Sequence, residues 1–505
     1  MTDQPWQGDA CSLMEAFRSG ERSPVEELEA VLAAVDQSRL NAFSHLDPDR
    51  AMDAAKEADV SLAFGGLPFA IKELEPVIGW PFTEASLVFK DRVGTYETTM
   101  VQRIRQAGVV PFGATTSSEF GGLNVSVTPI NGVTHNPWRH GRTAGGSSGG
   151  SSAAVAGGLV TLATGGDGGG SIRIPAGYNG LPGLKGTYGR IPRGPDTRIA
   201  PNTVVLGCLS RSVRDIARYY DVVSGYDPHD PTSLPRVDGW EAGLGSHDLA
   251  GRKVIVDPSL GGIPLQPGVH ETVLAAAEQL IADCGMERVD AEVDIPRLGS
   301  GWMMGNFTSL LADLEDQWPD CAQDLTDELR VGLNLAEFLY DLYTASGAEA
   351  ARTMANTAMA DLFDQADFVI CATNPDPAFP AESPMSDTSG GTFIELAKSS
   401  QAAGWAFRQI LRTVKAAGAV RPRLPRDLMD WTQRRFAKLL DMGALTIPAN
   451  ITGNPSMSIP VEQVDGLPIG MQVMARHHQD ALLLDVALAV ERERPWPLTA
   501  PDAPA

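Results

Sequence analysis

Two clusters of glycine and serine, GGSSGGSS at 145–152 and GGDGGGS at 165–171, most strongly constrain how this chain of 505 residues can fold. Consecutive glycines adopt backbone conformations that are closed to other residues. The apolar residues after the first cluster predict a helix from about Ser148 to Gly157, and LVTLAT predicts a short strand. Because a flexible linker seldom runs directly into an apolar helix and strand, both clusters are interpreted as ordered turns.

Helix and strand signals alternate along the rest of the chain. SPVE at 23–26 predicts a capped helix start, and GLPFAIK at 66–72 predicts a buried strand that ends on Lys72. The alternation predicts an α/β protein with a large twisted sheet, mixed but mostly parallel, covered by helices on both faces. We expect a single domain over 1–505, in which a helical region at about 290–400 forms a cap or lid.

Composition and charge limit the classes of partner and the location. The formal net charge of −23 repels phosphate backbones and anionic lipids, so we expect no nucleic-acid or membrane partner. No signal peptide and no bilayer-spanning run is present, which predicts a cytoplasmic monomer or homodimer acting on a small molecule. Five scattered cysteines without CxxC and eight histidines without HExxH predict no disulfides, no metal and no cofactor.

The glycine clusters have the features that a hydroxyl nucleophile needs. A serine at a helix start, with glycine N–H groups beside it, is placed where developing negative charge is stabilised, as in an oxyanion hole. A glycine turn without chemistry is the alternative for 165–171, and the GxxxxGK[ST] pattern of a phosphate-binding loop does not occur. Neither cluster contains a histidine, but a lysine can serve as the base if burial and neighbouring dipoles lower its pKa. Lys72, at the end of an apolar strand, and Lys185, in GLKGTYGR, are the candidates.

These motifs, in this order, resemble the amidase signature family. PFAIK ending at Lys72, GGSSGGS at 145–151, GGDGGGSIR at 165–173 and GLKGTYGR at 183–190 match four parts of the family pattern. The stretch TIPANITGNPSMSIPVEQVDGLPIGMQVMA is similar to the family's closing strands. The resemblance runs nearly end to end and implies the amidase signature fold.

The resemblance also implies a role for each matching residue. Ser171 is expected to be the nucleophile of an acyl-enzyme mechanism, Ser147, after a cis peptide bond, to bridge protons, and Lys72 to be the final base. The other expected site residues are the oxyanion-hole amides of Gly168, Gly169, Gly170 and Ser171, the bracing pair Asp167 and Arg173, the supporting donor Ser148, and the acyl-pocket residues Gly121 and Gly122.

Five positions depart from the family pattern, and none of them removes a catalytic group. The substituted positions are Gly166 and Gly168 for threonine, Gly186 for proline, Asn179 for a common cysteine, and Glu73 for aspartate. Because Gly168 removes a side chain beside the nucleophile loop, we expect a looser loop or a wider acyl site.

The apolar residues of the helical region bear on substrate choice, although core packing is the first expectation for most of them. They are Trp302, Met303, Met304, Phe307, Phe338 and Tyr340, followed by Trp405 and Phe407. They favour hydrolysis of carboxamide C–N bonds in small apolar or aryl amides, with carbamates (urethanes) or esters as alternatives. Two hypotheses come from other classes: a non-catalytic protein on an enzyme fold, and a glutaminyl-tRNA amidotransferase-like glutaminase subunit.

Overall fold

Helices and strands alternate along the chain in the computed structural model, which describes residues 4–197, 201–382, 401–418, 421, 424, 427 and 443–504. The described helices are α1 Ala10–Ser19, α2 Pro24–Gln37, α3 Pro48–Lys56, α4 Thr99–Gln106, α5 Gly149–Ala156, α6 Arg173–Asn179, α7 Val213–Val223, α8 Val269–Cys284, α9 Gly299–Leu314, α10 Asp327–Leu339, α11 Leu342–Gln365, α12 Gln401–Gly418, α13 Ile447–Thr452 and α14 Asp480–Glu493. The described strands are β1 Phe43–Leu46, β2 Pro68–Lys72, β3 Val110–Thr115, β4 Val127–Thr128, β5 Gly132–Val133, β6 Leu162–Asp167, β7 Gly183–Lys185, β8 Val205–Ser210, β9 Lys253–Val256, β10 Glu287–Arg288, β11 Phe368–Ala372, β12 Ser456–Val464 and β13 Leu467–Ala475. None of these helices combines the length and the apolar composition that crossing a bilayer requires.

Two mixed sheets with helices on both sides form the centre of the molecule, which confirms the predicted α/β class. Their strand orders are β1-β3-β2-β6-β8 and β10-β9-β11-β13-β12-β7. Parallel pairing joins β2 to β3 and β6, and β9 to β10 and β11, while the other described pairs are antiparallel. The expectation of a mostly parallel sheet is therefore corrected. One cause is local: Asp465 and Gly466 both have positive φ, as a two-residue hairpin turn requires, and this turn makes β12 and β13 antiparallel.

Strand direction brings distant sequence segments to one edge of the first sheet. β3, β2 and β6 are parallel, so their carboxyl ends lie at the same edge, where α/β proteins bind ligands. β2 ends on Lys72, and β6 ends on Asp167 at the second glycine cluster. β3 continues into the short 3-10 turn Glu119–Gly121. The base candidate, the nucleophile loop and the acyl-pocket glycines are therefore neighbours.

Helix α5 approaches this edge closely because it is built from small residues. All eight of its residues, GGSSAAVA, are buried. A methyl group on Gly150 would stand 2.4 Å from Thr116 Oγ1, so only glycine fits this contact. The hydroxyl of Ser152 donates to the Pro175 carbonyl at 2.9 Å, which satisfies a polar group inside the core. The first glycine cluster is thus an ordered, packed segment rather than a linker.

The other predicted elements are confirmed with shifted ends. At the start of α2, the Ser23 side chain accepts a hydrogen bond from the Glu26 amide, and the Glu26 carboxylate accepts one from the Ser23 amide at 2.8 Å. The strand predicted in LVTLAT begins later and runs into the glycine cluster as Leu162–Asp167. Helix α6 was not predicted, because the proline and glycine of RIPAGYN weaken a helical pattern.

The region of about 290–400 is only partly helical. Helices α9, α10 and α11 cover most of 299–365, but β11 follows and pairs with β9 and β13 in the second sheet. All five residues of β11, FVICA, are buried, and such an apolar run is typical of a central strand. Residues 383–400 of the predicted cap lie outside the described residues. The single-domain organisation and the lid role stay predictions.

Candidate active site

Lys72 reaches the first serine cluster from the end of β2. Its side chain is buried, and its Nζ lies 2.7 Å from Ser147 Oγ and 2.9 Å from Ser148 Oγ. The Lys72 backbone amide donates to Thr164 Oγ1 on β6 at 2.7 Å, which anchors the strand end. Burial lowers the pKa of Lys72 to about 8, and the nearby Glu75 carboxylate opposes this shift only in part. A buried amine with lowered pKa therefore contacts two serine hydroxyls.

Lys185, the rival candidate, lies on β7 and is also fully buried. Burial and the positive charge of Arg173 lower the pKa of Lys185 to about 7. Its Nζ donates to the Gly186 carbonyl at 3.0 Å, whereas Lys72 contacts serine hydroxyls. The geometry therefore favours Lys72 as the base.

Ser147 and Ser148 connect the lysine to the second glycine cluster. The peptide bond between Gly146 and Ser147 is cis, as the family resemblance implies. The Ser148 amide donates to the Ser171 carbonyl at 3.3 Å, and the Ser148 hydroxyl lies 3.3 Å from the Gly166 carbonyl. The two clusters, 24 residues apart at Ser147 and Ser171, are thus held against each other by direct hydrogen bonds.

Some backbone N–H groups of the second cluster already donate a hydrogen bond within the protein, and others do not. The Gly170 N–H donates to Asp167 Oδ1 at 2.7 Å, so it is not available to a substrate oxygen. Its predicted place in the oxyanion hole is corrected for that reason. Among the residues that the structure describes, the N–H groups of Gly168, Gly169 and Ser171 meet no acceptor. These three amides are left to stabilise a negative oxygen.

Asp167 and Arg173 form a completely buried ion pair beneath the loop. Arg173 Nη2 and Nε donate to the two carboxylate oxygens of Asp167 at 2.9 and 3.0 Å. Burial alone would raise the pKa of Asp167, but the charge and hydrogen bonds of Arg173 hold this pKa well below its ordinary value. The remaining Arg173 donors contact Gln472 Oε1 and Asn450 Oδ1, both at 2.6 Å. The pair is therefore fully hydrogen-bonded, as buried charges must be.

Several contributors to this site were not found from the sequence. Thr446 Oγ1 donates to the Gly169 carbonyl at 2.6 Å, and Asn450 Nδ2 donates to Asp167 Oδ1 at 2.8 Å. Together with Gln472, they come from the C-terminal stretch that resembles the family's closing strands. Single polar residues without a motif carry no signal of such a role. Only the fold brings them to the loop.

A cavity of about 560 Å³ opens onto these groups. Lys72, Ser147 and Ser171 line it, as do Gly121 and Gly122 beside the 3-10 turn. A Cβ on Gly121 would lie 3.5 Å from Ser147 Oγ, so glycine there keeps space next to the serine. The structure thus brings the predicted catalytic and acyl-pocket residues into one space.

The cavity walls combine an apolar part and a polar part. The apolar part includes Phe120, Trp302, Met303, Phe307 and Leu310. The other apolar residues considered for substrate choice lie elsewhere. Met304 and the partly buried Tyr340 pack within the helical region, and Phe338 packs against Phe407. Trp405 is exposed. The described lining includes none of these side chains. The helical region therefore supplies part of the substrate wall.

The polar part of the wall is acidic and partly paired. Glu84 forms an ion pair with Arg92 at 3.0 Å, and Glu75 accepts a hydrogen bond from Thr98 Oγ1 at 3.1 Å. Burial raises the pKa of Glu75. Asp196 also lines this part of the cavity. Arg193 lines the cavity as well, so its polar lining contains both acidic and basic groups.

The departures from the family pattern are accommodated locally. Glu73 accepts hydrogen bonds from the Ser117 amide at 2.6 Å and from Asn131, and Asn179 donates to the Ala144 carbonyl at 2.8 Å. A Cβ on Gly168 would stand 3.3 Å from Val204 Cγ2, so a side chain at this position would crowd Val204. A Cβ on Gly166 would lie 3.6 Å from Leu206 Cδ2, and a Cβ on Gly186 would stand 2.7 Å from the Tyr220 hydroxyl.

Comparison with known proteins identifies the family of this chain. The Amidase family model matches residues 26–407 and 406–484. The chain is 30% identical to an acylamidase of Rhodococcus erythropolis, over 96% of this chain and 95% of that protein. It is 29% identical to a glutamyl-tRNA(Gln) amidotransferase subunit of Akkermansia muciniphila, over 96% and 99%. The solved structure of 6-aminohexanoate cyclic dimer hydrolase complexed with substrate is similar with a TM-score of 0.82 and 27% identity, over 99% of both chains.

Fold, site and family match together define an enzyme that cleaves amide C–N bonds. The chain belongs to the Amidase family, the amidase signature enzymes.

Asp167→Asn tests the buried pair. The change leaves the Arg173 charge buried without its partner, which costs about 3–5 kcal/mol for such pairs. We expect the apparent Tm, measured at one scan rate by intrinsic fluorescence, to fall by several degrees. Asp238→Asn, which removes the partner of Arg236 in an exposed pair, is the matched control and should cost less than about 1 kcal/mol. Equal shifts in the two variants would contradict the structural role of the buried pair.

Proposed function

We propose that this protein hydrolyses carboxamides through an acyl-enzyme on Ser171, with Ser147 as the bridging proton carrier and Lys72 as the base. The observation that carries the proposal is the 2.7 Å contact between the buried Lys72 amine and Ser147 Oγ, in the cavity that Ser171 also lines. A lysine with a pKa near 8 is partly neutral at neutral pH and has a lone pair that can accept a proton.

The first half of the reaction forms the acyl-enzyme. Lys72 takes a proton from Ser147 while Ser147 takes the proton of Ser171, and the Ser171 oxygen attacks the substrate carbonyl carbon. The N–H groups of Gly168, Gly169 and Ser171 hold the carbonyl oxygen as it becomes negative. The C–N bond then breaks. Because an amide anion is a very poor leaving group, the relay returns the proton to the departing nitrogen through Ser147.

The second half frees the enzyme. A water molecule gives its proton to the same relay and attacks the acyl carbon, and the C–O bond to Ser171 breaks. Ser171 recovers its proton from Ser147, and the acid product leaves. The same three side chains therefore act in both halves of the reaction. In each half the relay first accepts a proton and then returns one.

The cavity supports small apolar or aryl amides as substrates. Phe120, Trp302 and Phe307 give the wall aromatic surface for an acyl or aryl group. The similarity to an acylamidase supports the same class. A threonine at position 168 would crowd Val204 of the cavity lining, so glycine there favours a wider acyl group. Carbamates and esters present the same carbonyl and are the alternative substrates for this relay.

A glutaminase component of a tRNA-dependent amidotransferase is the second candidate, supported by the similarity to the amidotransferase subunit of Akkermansia muciniphila. That function requires recognition of the charged groups of glutamine, and the cavity lining contains the charged residues Glu84, Arg92, Arg193 and Asp196 beside its aromatic part. We place the protein as a free-standing hydrolase in the cytoplasm, active as a monomer or homodimer.

Ser171→Ala tests the nucleophile. Loss of the attacking oxygen should lower kcat by at least about 10⁴-fold, because no other group can form the acyl-enzyme. Release of a chromogenic aniline measures turnover, and labelling by a fluorophosphonate, detected by mass spectrometry, measures attack. Ser246→Ala at an exposed serine is the control and should keep both. A folded Ser171→Ala protein that still turns over substrate at the wild-type rate would refute the proposal.

The pH dependence of kcat/KM tests the base. Lys72 must be neutral to accept a proton, and it is protonated below its pKa of about 8. We therefore expect kcat/KM to rise about tenfold per pH unit below pH 8 and to level off above it. Initial rates from pH 6 to 9.5 in buffers of constant ionic strength give the profile. A flat profile over this range would contradict a lysine base.

A substrate panel tests the leaving group and the second candidate. We expect anilides of small apolar acids to be hydrolysed by the purified chain alone, with both products found by mass spectrometry. Rates of hydrolysis of primary amides, carbamates and esters with the same acyl group show which alternative substrate class is preferred. Release of ammonia from glutamine without cleavage of any anilide would favour the amidotransferase function instead.

A further inference from the structure

Trp302, near the start of helix α9, contacts the loop that supplies the proposed oxyanion hole. Its indole Nε1 donates a hydrogen bond to the Gly168 carbonyl at 2.8 Å. The ring also covers the next residue, since a Cβ on Gly169 would stand 2.5 Å from Trp302 Cζ2. A single side chain of the helical region therefore both lines the cavity and contacts two consecutive glycines of the loop.

The contact determines the direction of one amide. The peptide bond between Gly168 and Gly169 is planar and trans, so its C=O and N–H point in opposite directions. When Trp302 holds the carbonyl oxygen, the Gly169 N–H is directed away from the indole nitrogen. No acceptor for this N–H is found in the described part of the chain. Fixing the carbonyl thus fixes the direction of an amide that is left without a protein acceptor.

The neighbouring peptide is held by different groups. Thr446 Oγ1 donates to the Gly169 carbonyl, and the Gly170 N–H donates to Asp167, so both sides of the Gly169–Gly170 peptide are bonded within the protein. The Gly168–Gly169 peptide has only the Trp302 bond among the described contacts. Its orientation therefore depends on the tryptophan.

The two glycines increase the dependence of this peptide's orientation on Trp302. A peptide between two glycines reverses its direction easily, because no Cβ opposes the rotation. In the reversed orientation a carbonyl oxygen, rather than an N–H, would face the negative oxygen of the tetrahedral intermediate and repel it. The loop therefore needs an external restraint on this peptide.

We propose that Trp302 is a positioning residue that holds the Gly168–Gly169 peptide with its N–H toward the reacting carbonyl oxygen. The proposal rests on the proposed function of Ser171 and the loop amides. Trp302 packs against a buried cluster formed by Leu298, by Ala355 of α11 and by Ile447 and Ile451 of α13, which holds the indole in place. The helices that shape the substrate wall thereby also order the oxyanion hole.

Trp302→Phe separates this role from simple wall packing, because it keeps an aromatic ring and removes the N–H donor. We expect kcat to fall about 10- to 100-fold, less than the loss of a whole oxyanion donor, while KM changes by less than about threefold. Inhibition constants give a second readout. Phenylboronic acid, which forms a tetrahedral adduct on a serine, should bind about 10- to 100-fold more weakly, and benzamide should bind almost unchanged.

The matched control is Trp405→Phe, the same substitution at an exposed tryptophan on α12, which should leave kcat and KM unchanged. If Trp302→Phe fails to fold, replacement of Trp302 by 3-benzothienylalanine keeps the ring shape without the N–H and decides the question. A kcat within twofold of wild type in either Trp302 variant, or a loss confined to KM, would overturn the positioning role.

The outcomes also separate this inference from the proposed function. If Ser171→Ala is inactive and the Trp302 variants keep full kcat, only the positioning role fails. If Ser171→Ala keeps activity, the proposed function fails and the role of Trp302 fails with it.

Discussion

The arrangement of the site depends on the hydrogen bonds that the carboxylate of Asp167 accepts. It is completely buried, so hydrogen bonds within the protein must replace its hydration. The donors are the Gly170 amide, the fork of Arg173 and the side-chain amide of Asn450. Because these donors fix the course of the chain after β6, they determine which loop amides are used up and which remain open toward the cavity.

Two buried ionisable groups near one another show how neighbours decide the effect of burial. Asp167 keeps its charge because a guanidinium pairs with it, whereas Lys72 contacts two neutral hydroxyls. Burial therefore lowers the pKa of Lys72 to about 8, while the pKa of Asp167 stays far below its ordinary value. One residue remains an anion that supports structure, and the other is able to exchange protons.

Local patterns in the sequence were sufficient to predict several helices and strands of the fold. The buried strand ending on Lys72, the helix after the first glycine cluster and the capped start of α2 all follow from short motifs. Motif order was sufficient to place Lys72, Ser147 and Ser171 together. The strand pairing was not predictable to the same degree, since a hairpin turn or a crossover decides direction and both occur here.

The contributions that sequence reasoning missed are long-range. Thr446, Asn450 and Gln472 are single polar residues that contact the loop only after folding. Trp302 was one of several apolar residues for which core packing was the first expectation, and its hydrogen bond to a backbone carbonyl cannot be inferred from the sequence. The direction of the Gly170 amide also depends on three-dimensional contacts. Its hydrogen bond to Asp167 removes it from the predicted oxyanion hole.

The position of the Arg173 partners along the chain has a consequence for biosynthesis. Lys72, Ser147 and Ser171 leave the ribosome early, but the groups that satisfy Arg173 lie at 446–472 and emerge much later. Until that segment has been translated and packed, a guanidinium would have to be dehydrated without all of its acceptors, which is unfavourable. The ion pair beneath the glycine loop can therefore be fully hydrogen-bonded only after this C-terminal segment has been added to the chain.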